Sequence, residues 1–592
     1  MTNRAESSAG AISCWVVAAV FAVGLVHLVV SLRAVQVSGA ADYNYASLRQ
    51  SVRRVQTAGL RGRILARRGE ILAGNRPSLS IACLPAAFEK RSWVDTVLAI
   101  QRGVAAVGEV IGRESPLTER AIRRHVSQSL AMPLLVWRDV GERELAVFSE
   151  REREFPGFAV METAERTYPG GPLAAHVVGY VGRDRGESVA GDEKFSYFAP
   201  EMRGRSGLEA YYDGFLRGVP GERKLLVDAR GFAIRGWTVV DAQPGPDLET
   251  TLDLRVQREV ERQLSGEKGA CAVIDPRNGE VLALASAPGF DLNAFVPMLS
   301  PETYGRYVRD PAKPLLNRAT GGTYAPGSTF KPVTALAALR AGYPPDREYY
   351  CNGTFECGGM TLHCMSRWGH GPLDIRQAIM RSCNPFFCSL GMEMGTNAFC
   401  RAAGAFGFGA RTGLDLGVDS AGVVPDGEWK MRTYGERWFP GDMAQMSIGQ
   451  GMLLATPLQM ARAVGAIGTG LLVTPHLRRD APAEAKPLPF AEEALRVVRD
   501  GMRMVVEGDG QVRGTGWRAG VGLGVSVSGK TGTAEVGVGE NRRNNAWFVA
   551  YAPSDSPTAA VALVIENGEG GGVTAAPKVC EILKAMFGGS GT

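Results

Sequence analysis

The rhythm of apolar and polar positions changes several times along the chain. From Ala11 to Leu32 ("AISCWVVAAVFAVGLVHLVVSL") no acidic, Lys or Arg residue interrupts an apolar run. That is about the ~20 residues a helix needs to cross a bilayer. Residues 33–245 then mix charged helical patterns, such as "RDVGERELAVFSEREREF", with Gly-rich turns, such as "RTYPGGPLAAHVVGYVG". Pro244-Gly245-Pro246 reads as a linker, and "RVQREVERQL" follows with helical periodicity. In "ACAVIDPRNGEVLALASAP" two β-rich runs flank Asp275 to Gly279, the pattern of a hairpin. The stretch from about 325 to 515 reads as mostly helical. Strand patterns return in "GVSVSGKTGTAEV", "NAWFVAYAP" and "TAAVALVIEN", and "APKVCEILKAMF" closes with a helix. A hairpin, a helical block and three further strands predict one antiparallel sheet assembled from both ends of its domain, with helices around it, an α+β fold.

At 592 residues the chain has room for several domains. The pattern divides it into a tail (1–10), a membrane anchor (11–32), a mixed domain (33–245) and a second domain (246–592). The formal charge of +5 is mild, and the basic residues are spread rather than run together, so nucleic acid is not a predicted partner. The apolar run exceeds the ~7–15 residues of a signal-peptide core. "VSGA" at Val37 to Ala40 has the small residues of a cleavage site, but the length favours an uncleaved anchor. Arg4 and Arg33 flank it evenly, so charge alone does not orient it. Of ten cysteines, Cys351, Cys357, Cys364, Cys383, Cys388 and Cys400 crowd one region, open to either disulfides or metal.

The candidate chemistry begins at "TYAPGSTFKPVTALAAL". Ser328 and Lys331 follow a Pro-Gly turn at the mouth of an apolar helix. Residues i and i+3 share a helix face, so the Lys331 amine can reach Ser328 Oγ. The helix N-terminus favours developing negative charge, and a serine beside a lysine is the core of an activated nucleophile. The spacing alone is weak: about one chance match is expected, and Ser265 with Lys268 supplies one. Two further motifs separate the pairs. "RSCNPF" holds Ser382 and Asn384, and "SGKTGTAE" holds Lys530, Thr531, Gly532 and Thr533 on a predicted strand. Ser-x-x-Lys, Ser-x-Asn and Lys-Thr-Gly in this order form the set found in penicillin-binding proteins and class A β-lactamases.

With these motifs the sequence resembles the class B penicillin-binding proteins, most of all their elongation-type members. "RGRILARRGEILAGN" (Arg61 to Asn75), "RTYPGGPLAAHVVGYVG" and "GRSGLEAYYDGFLRGVPG" resemble the pedestal motifs of that family, and "SIGQGMLLATPLQMA" and "AWFVAYAP" resemble segments of its catalytic domain. One departure is Ala66, where the family motif carries Asp, which puts a pedestal salt bridge in doubt. The resemblance implies a D,D-transpeptidase with its N-terminus in the cytoplasm, one helix in the inner membrane and the rest in the periplasm. Ser328 would attack the D-Ala-D-Ala carbonyl of a peptidoglycan stem peptide, and β-lactams would acylate the same serine. Lys331 would be the base, kept neutral by like-charge repulsion from Lys530. Ser382 would relay a proton to the leaving amine, and Asn384 would hold the substrate amide. Thr531, Gly532 and Thr533 would line the carboxylate site. The N–H groups of Ser328 and Thr533 would form the oxyanion hole. The implied protein partner is a SEDS-family glycan polymerase.

"CNGTFECGGMTLHCMSRWGHG" resembles a stretch of proteobacterial elongation-type members in which zinc is bound. The matching ligands here are Cys351, Cys364, His370 and Cys383, and four protein ligands imply a structural metal. A disulfide such as Cys351 with Cys364 is the alternative, and Cys357 and His363 are substitute ligands. A division-specific relative, a non-catalytic scaffold, a β-lactam sensor and a β-lactamase are the competing functions. The intact motifs argue against the scaffold, the cysteine cluster against the division enzyme, the single span against the sensor, and the want of a Glu-containing deacylation motif against the β-lactamase.

Overall fold

The computed structural model describes residues 5–38, 51–184, 196–198, 201–296, 298–537 and 542–588. Arg4, and Gly39 and Ala40 of the small-residue segment, lie outside them. The N-terminal helix runs from Ala5 to Arg33 and continues as a wider turn to Ser38. It begins before the expected Ala11, since no proline stands in "AESSAG" to end it and the poor helix former Gly10 is carried within it. Its apolar part, Cys14–Val37, is wholly exposed and is the one helix among the described residues long and apolar enough to cross a membrane.

Among its described residues the mixed domain holds a two-stranded ribbon, Val181–Asp184 with Glu201–Gly204, and two larger sheets. One joins Val52–Thr57, Ser196–Phe198, Gly221–Val227 and Ala233–Val240. The other is built on the long strand Ile71–Cys83, paired antiparallel with Phe158–Thr167. Helices Trp93–Ile111, Glu119–Gln128 and Glu142–Arg151 close over it around Ile100, Val107, Trp137, Phe148 and Phe158.

Ala66 does not leave this domain without ion pairs. Its side chain is buried and its N–H closes a turn on Glu70 O (2.8 Å). The family-like motifs are joined instead through buried Glu209, which accepts from Arg61 Nε (2.6 Å) and Arg166 Nε (2.7 Å), while Arg61 Nη1 meets Asp213 at 2.8 Å. Arg67 pairs with Glu280 (2.8 Å) and Tyr212 Oη donates to Asp415 Oδ2 (2.6 Å), tying the mixed domain to the next. The Pro-Gly-Pro segment is packed rather than free. Gly245 N–H donates to Leu60 O (2.8 Å), and a side chain there would collide with Leu216 O.

The second domain is built on a five-stranded antiparallel sheet: β1 (Gly269–Ile274), β2 (Val281–Ala287), β3 (Ser528–Val536), β4 (Arg543–Ala552) and β5 (Ala559–Ile565). The order is β2-β1-β5-β4-β3, with the predicted hairpin at one edge and the Lys-Thr-Gly strand at the other. Alternation sorts the strands between two cores. Ala270, Ala272 and Ile274 face the large helical core. Cys271 and Val273 face Val256, Val260, Val579 and Leu583 of the helices Leu254–Leu264 and Ala576–Phe587.

The middle is less purely helical than its pattern suggests. Three two-stranded ribbons interrupt it: Tyr349–Cys351 with Gly371–Leu373, Thr354–Cys357 with Met360–His363, and Leu471–Val473 with Ala485–Pro487. Gly353, Gly358, Gly359, Gly369 and Gly371 all take positive φ around the first two, which makes ribbon turns there and forbids a helix.

Candidate active site

Ser328 lies in a single 3-10 turn, Gly327–Phe330, that leads into α1 (Lys331–Arg340). Gly327 has φ 57°, which only glycine adopts cheaply, and Thr329 Oγ1 donates to Pro326 O (2.6 Å) to lock the turn. Pro332 falls within the first turn of α1, where its missing N–H costs nothing. Ser328 is half-buried, whereas Lys331 is completely buried.

Ser382 and Asn384 come from the corner between α2 (Ile375–Arg381) and α3 (Asn384–Ala405). Lys530 comes from β3 and is also fully buried. Lys331 Nζ donates to Ser382 O (2.7 Å), Asn384 Oδ1 (2.7 Å) and Ser382 Oγ (3.3 Å). Lys530 Nζ donates to the same Ser382 Oγ (2.8 Å) and to Thr531 O (3.0 Å). Two buried amines therefore converge on one hydroxyl. The direct contact expected between Lys331 and Ser328 Oγ is absent among these bonds: the lysine turns its donors to the corner, where two carbonyl-type oxygens outcompete a hydroxyl.

The electrostatic cause also differs from the expectation. Burial, rather than the Lys530 charge, brings Lys331 down to about 8, and the Cys383, Cys388 and Cys364 thiols oppose that shift. Repulsion between the amines acts on Lys530, which burial first and Lys331 second hold well below the usual lysine range. Removing two amines from water is costly, so the pair sheds protons instead of carrying two charges.

On β3, Thr531 Oγ1 donates to Thr515 Oγ1 (3.1 Å), which donates to Met380 O of α2 (3.1 Å). A side chain on Gly532 would meet Thr329 Cγ2 at 2.7 Å, so glycine lets the strand lie against the nucleophile turn. Thr533 is half-buried at the free edge. Asn384 is engaged at both ends, since its Nδ2 donates to His363 O (2.9 Å). Ser265 merely ends the helix Leu254–Leu264 and meets none of these groups.

Cys351, Cys364, His370 and Cys383 present one ligand atom each, all within 4.8 Å of one another, and all ten cysteines are unpaired. Cys364 Sγ lies 3.4 Å from His370 Nδ1. Zinc–sulfur and zinc–nitrogen bonds of ~2.3 and ~2.0 Å put tetrahedral ligands about 3.5–3.8 Å apart, so the donor set fits that metal. The hydrogen bond from Cys383 draws the Cys364 thiol down, so the cluster already favours a thiolate. Sequence reasoning missed Thr515, the His363 carbonyl that accepts from Asn384, and Gln450, whose Nε2 donates to Thr533 O (3.2 Å). Only the likeness of "SIGQG" to a family segment pointed towards the last.

A serine on a helix-leading turn, two buried lysines on a second serine, and a Lys-Thr-Gly edge strand define a penicillin-binding type of serine acyltransferase. The penicillin-binding protein transpeptidase domain matches residues 269–584, and the penicillin-binding protein dimerisation domain matches residues 56–250. The chain belongs to this family. It is 32% identical to the peptidoglycan D,D-transpeptidase MrdA of Escherichia coli K12, over 92% of this chain and 89% of that one. The penicillin-binding protein PBP2 of Helicobacter pylori, in complex with MreC, superposes with a TM-score of 0.76 at 26% identity, covering 91% of this chain and 99% of that one. A structure described as "Structural coordination of polymerization and crosslinking by a peptidoglycan synthase complex" gives a TM-score of 0.71 at 29% identity, covering 98% and 99%.

Proposed function

We propose that this protein is a peptidoglycan D,D-transpeptidase of the cell-elongation type, working through a Ser328 acyl-enzyme that β-lactams also form. The observation that carries the reading is the convergence of buried Lys331 and Lys530 on Ser382 Oγ beside the Ser328 turn. Neutral Lys331 takes the Ser328 proton as Oγ attacks the penultimate D-Ala carbonyl. Ser382 passes a proton to the departing D-Ala amine, and the ester remains on Ser328. The amine of a second stem peptide then attacks the ester, returns a proton through the same groups and leaves a crosslink. Asn384 orients the substrate amide, Thr531 and Thr533 with Lys530 hold the terminal carboxylate, and Ser328 and Thr533 N–H groups face the oxyanion. One such donor is typically worth ~3–4 kcal/mol.

Cys351, Cys364, His370 and Cys383 would hold a structural zinc ion, which fixes the Ser382–Asn384 corner to the preceding ribbon and has no open position for substrate. The exposed N-terminal helix supports a single-pass anchor in the inner membrane with both domains in the periplasm. A relative seen with MreC and a similar structure in a peptidoglycan synthase complex support elongation proteins and a glycan polymerase as partners, and the resemblance in sequence makes that polymerase one of the SEDS family. The test is labelling of the full chain by a fluorescent penicillin. Wild type is expected to label and Ser328→Ala to stay dark; equal labelling removes Ser328 as the nucleophile.

A further inference from the structure

The residue before the nucleophile and the last residue of the Lys-Thr-Gly-Thr run are held by a single loop. Gly327 N–H donates to Gly449 O (2.8 Å). Gly449 has φ 75°, and a side chain there would stand 2.0 Å from Gly327 O, the carbonyl of the peptide whose N–H belongs to Ser328. The next residue, Gln450, reaches across with its side chain to donate from Nε2 to Thr533 O (3.2 Å). Gly327 itself comes so close to the strand that a Cβ on it would lie 2.9 Å from Thr533 O. The loop is fixed on either side. Ser447 O accepts from Thr334 Oγ1 of α1 (2.9 Å), Gln450 N–H donates to Gln445 O (2.9 Å), and Tyr324 and Ala455 exchange two backbone bonds of 2.9 Å.

The edge position of β3 gives this contact a consequence for the reaction. In an antiparallel strand the N–H and C=O of one residue point to the same side. Gln450 approaches Thr533 O from the free edge, so Thr533 N–H faces that edge too. A reacting carbonyl bound to this N–H would meet the lone pairs of Thr533 O close by, and its developing negative charge would be repelled. A donor already seated on Thr533 O removes that repulsion before the reaction starts, which is how preorganised sites lower barriers.

We propose that Gln450 is a positioning residue of the oxyanion site. Its amide occupies Thr533 O, so the strand edge presents an N–H donor and an engaged carbonyl to the tetrahedral intermediate. Gly449 thus sets the peptide unit that supplies the Ser328 N–H, and Gln450 engages the carbonyl of Thr533, the residue whose own N–H is the second donor. The inference rests on the transpeptidase reading above and adds a residue that contacts neither substrate nor nucleophile side chain.

The test uses the full chain in detergent, with single-turnover acylation by a fluorescent penicillin and infrared spectra of the acyl-enzyme. Gln450→Met keeps the length without a donor, and Gln450→Glu keeps the shape but puts an acceptor on Thr533 O. Deleting an oxyanion donor outright costs ~100- to 1,000-fold, so the indirect loss is expected to slow acylation about tenfold in Gln450→Met and more in Gln450→Glu. Initial penicillin affinity should change by less than about twofold, and the ester carbonyl stretch should move to higher wavenumber, a sign of weaker polarisation that lost packing alone would not give. Wild-type acylation rates in both variants, or slowed rates with an unshifted carbonyl, would overturn the proposal. If Ser328→Ala still labels, the transpeptidase reading itself falls, and that arm separates the two failures.

Discussion

Lys530→Met asks what keeps the Lys331 amine uncharged. Burial brings Lys331 to about 8, and the like-charge effect falls on Lys530. A base must be neutral to accept the Ser328 proton, so acylation rises as pH climbs through the Lys331 value. With a midpoint near 8, about one-tenth of the enzyme carries a neutral base at pH 7 and about nine-tenths at pH 9, a roughly tenfold gain in rate. Because the amines interact, the observed midpoint belongs to the pair. Lys530 is itself pulled well below the usual lysine range, by burial first and the Lys331 charge second. Methionine preserves the bulk over Ser382 and hence the burial of Lys331. The midpoint should therefore stay near 8 while the plateau falls, because Ser382 Oγ loses a donor at 2.8 Å. A hydrogen bond of that kind is worth ~1 kcal/mol net, or about fivefold in rate. The assay is single-turnover acylation of the full chain from about pH 6 to about pH 10. A midpoint that climbs by about one unit in Lys530→Met would mean that repulsion, not burial, sets the base. A flat wild-type profile would remove Lys331 from that role.

Other perturbations probe the frame around the site. Glu209→Gln leaves Arg61 and Arg166 buried without their shared carboxylate; breaking such a cluster typically costs ~3–5 kcal/mol. Thermal unfolding should start lower, with penicillin labelling intact at low temperature, and an unchanged unfolding curve would contradict the network. Cys364→Ser should abolish bound zinc measured by atomic emission. It should also slow acylation, because His363 O, one residue away, holds Asn384 Nδ2 at 2.9 Å. A wild-type protein with no zinc and a mapped disulfide among these cysteines would refute the metal reading.

How much of this was legible in the sequence depends on the range of the interaction. The central sheet was legible because alternation is local: Ala270, Ala272 and Ile274 against Cys271 and Val273 already assign two faces. The three motifs were legible because each needs only a few adjacent residues. The Cys-rich ribbons were not, since their apolar positions are sparse and positive-φ glycines, rather than periodicity, shape them. The cause of the Lys331 shift was hidden for a different reason. A lysine at the start of an apolar helix suggests exposure at the helix mouth, and only the packed α3 corner shows that it is enclosed. Gln450 and Thr533 are 83 positions apart, and Thr515 reaches back 135 positions to Met380; contacts of that reach exist only after the sheet has closed.

The corner at 382–384 shows why these parts cannot be separated. Ser382 sits at φ 56°, in the left-handed region, which costs a non-glycine residue of order 1–2 kcal/mol. Glycine would relieve that strain but would carry no hydroxyl, so the backbone must be held in place by its neighbours. Lys331 binds Ser382 O, both lysines bind Ser382 Oγ, and Asn384 is fixed between Lys331 and His363 O. Cys383, between the two polar residues, turns to the Cys351, Cys364 and His370 group instead. On the proposed reading the outer residues of the tripeptide serve the reaction, while the middle one would fasten it to the ribbon through the metal. Loosening either side frees the same backbone, so a lost cysteine ligand and a lost lysine should both surface as misplacement of Ser382 Oγ. The two are distinguishable: the Cys364 variant should keep a pH midpoint, moved below 8 because one of the thiols that oppose the shift is gone, whereas loss of Lys331 should erase the midpoint altogether.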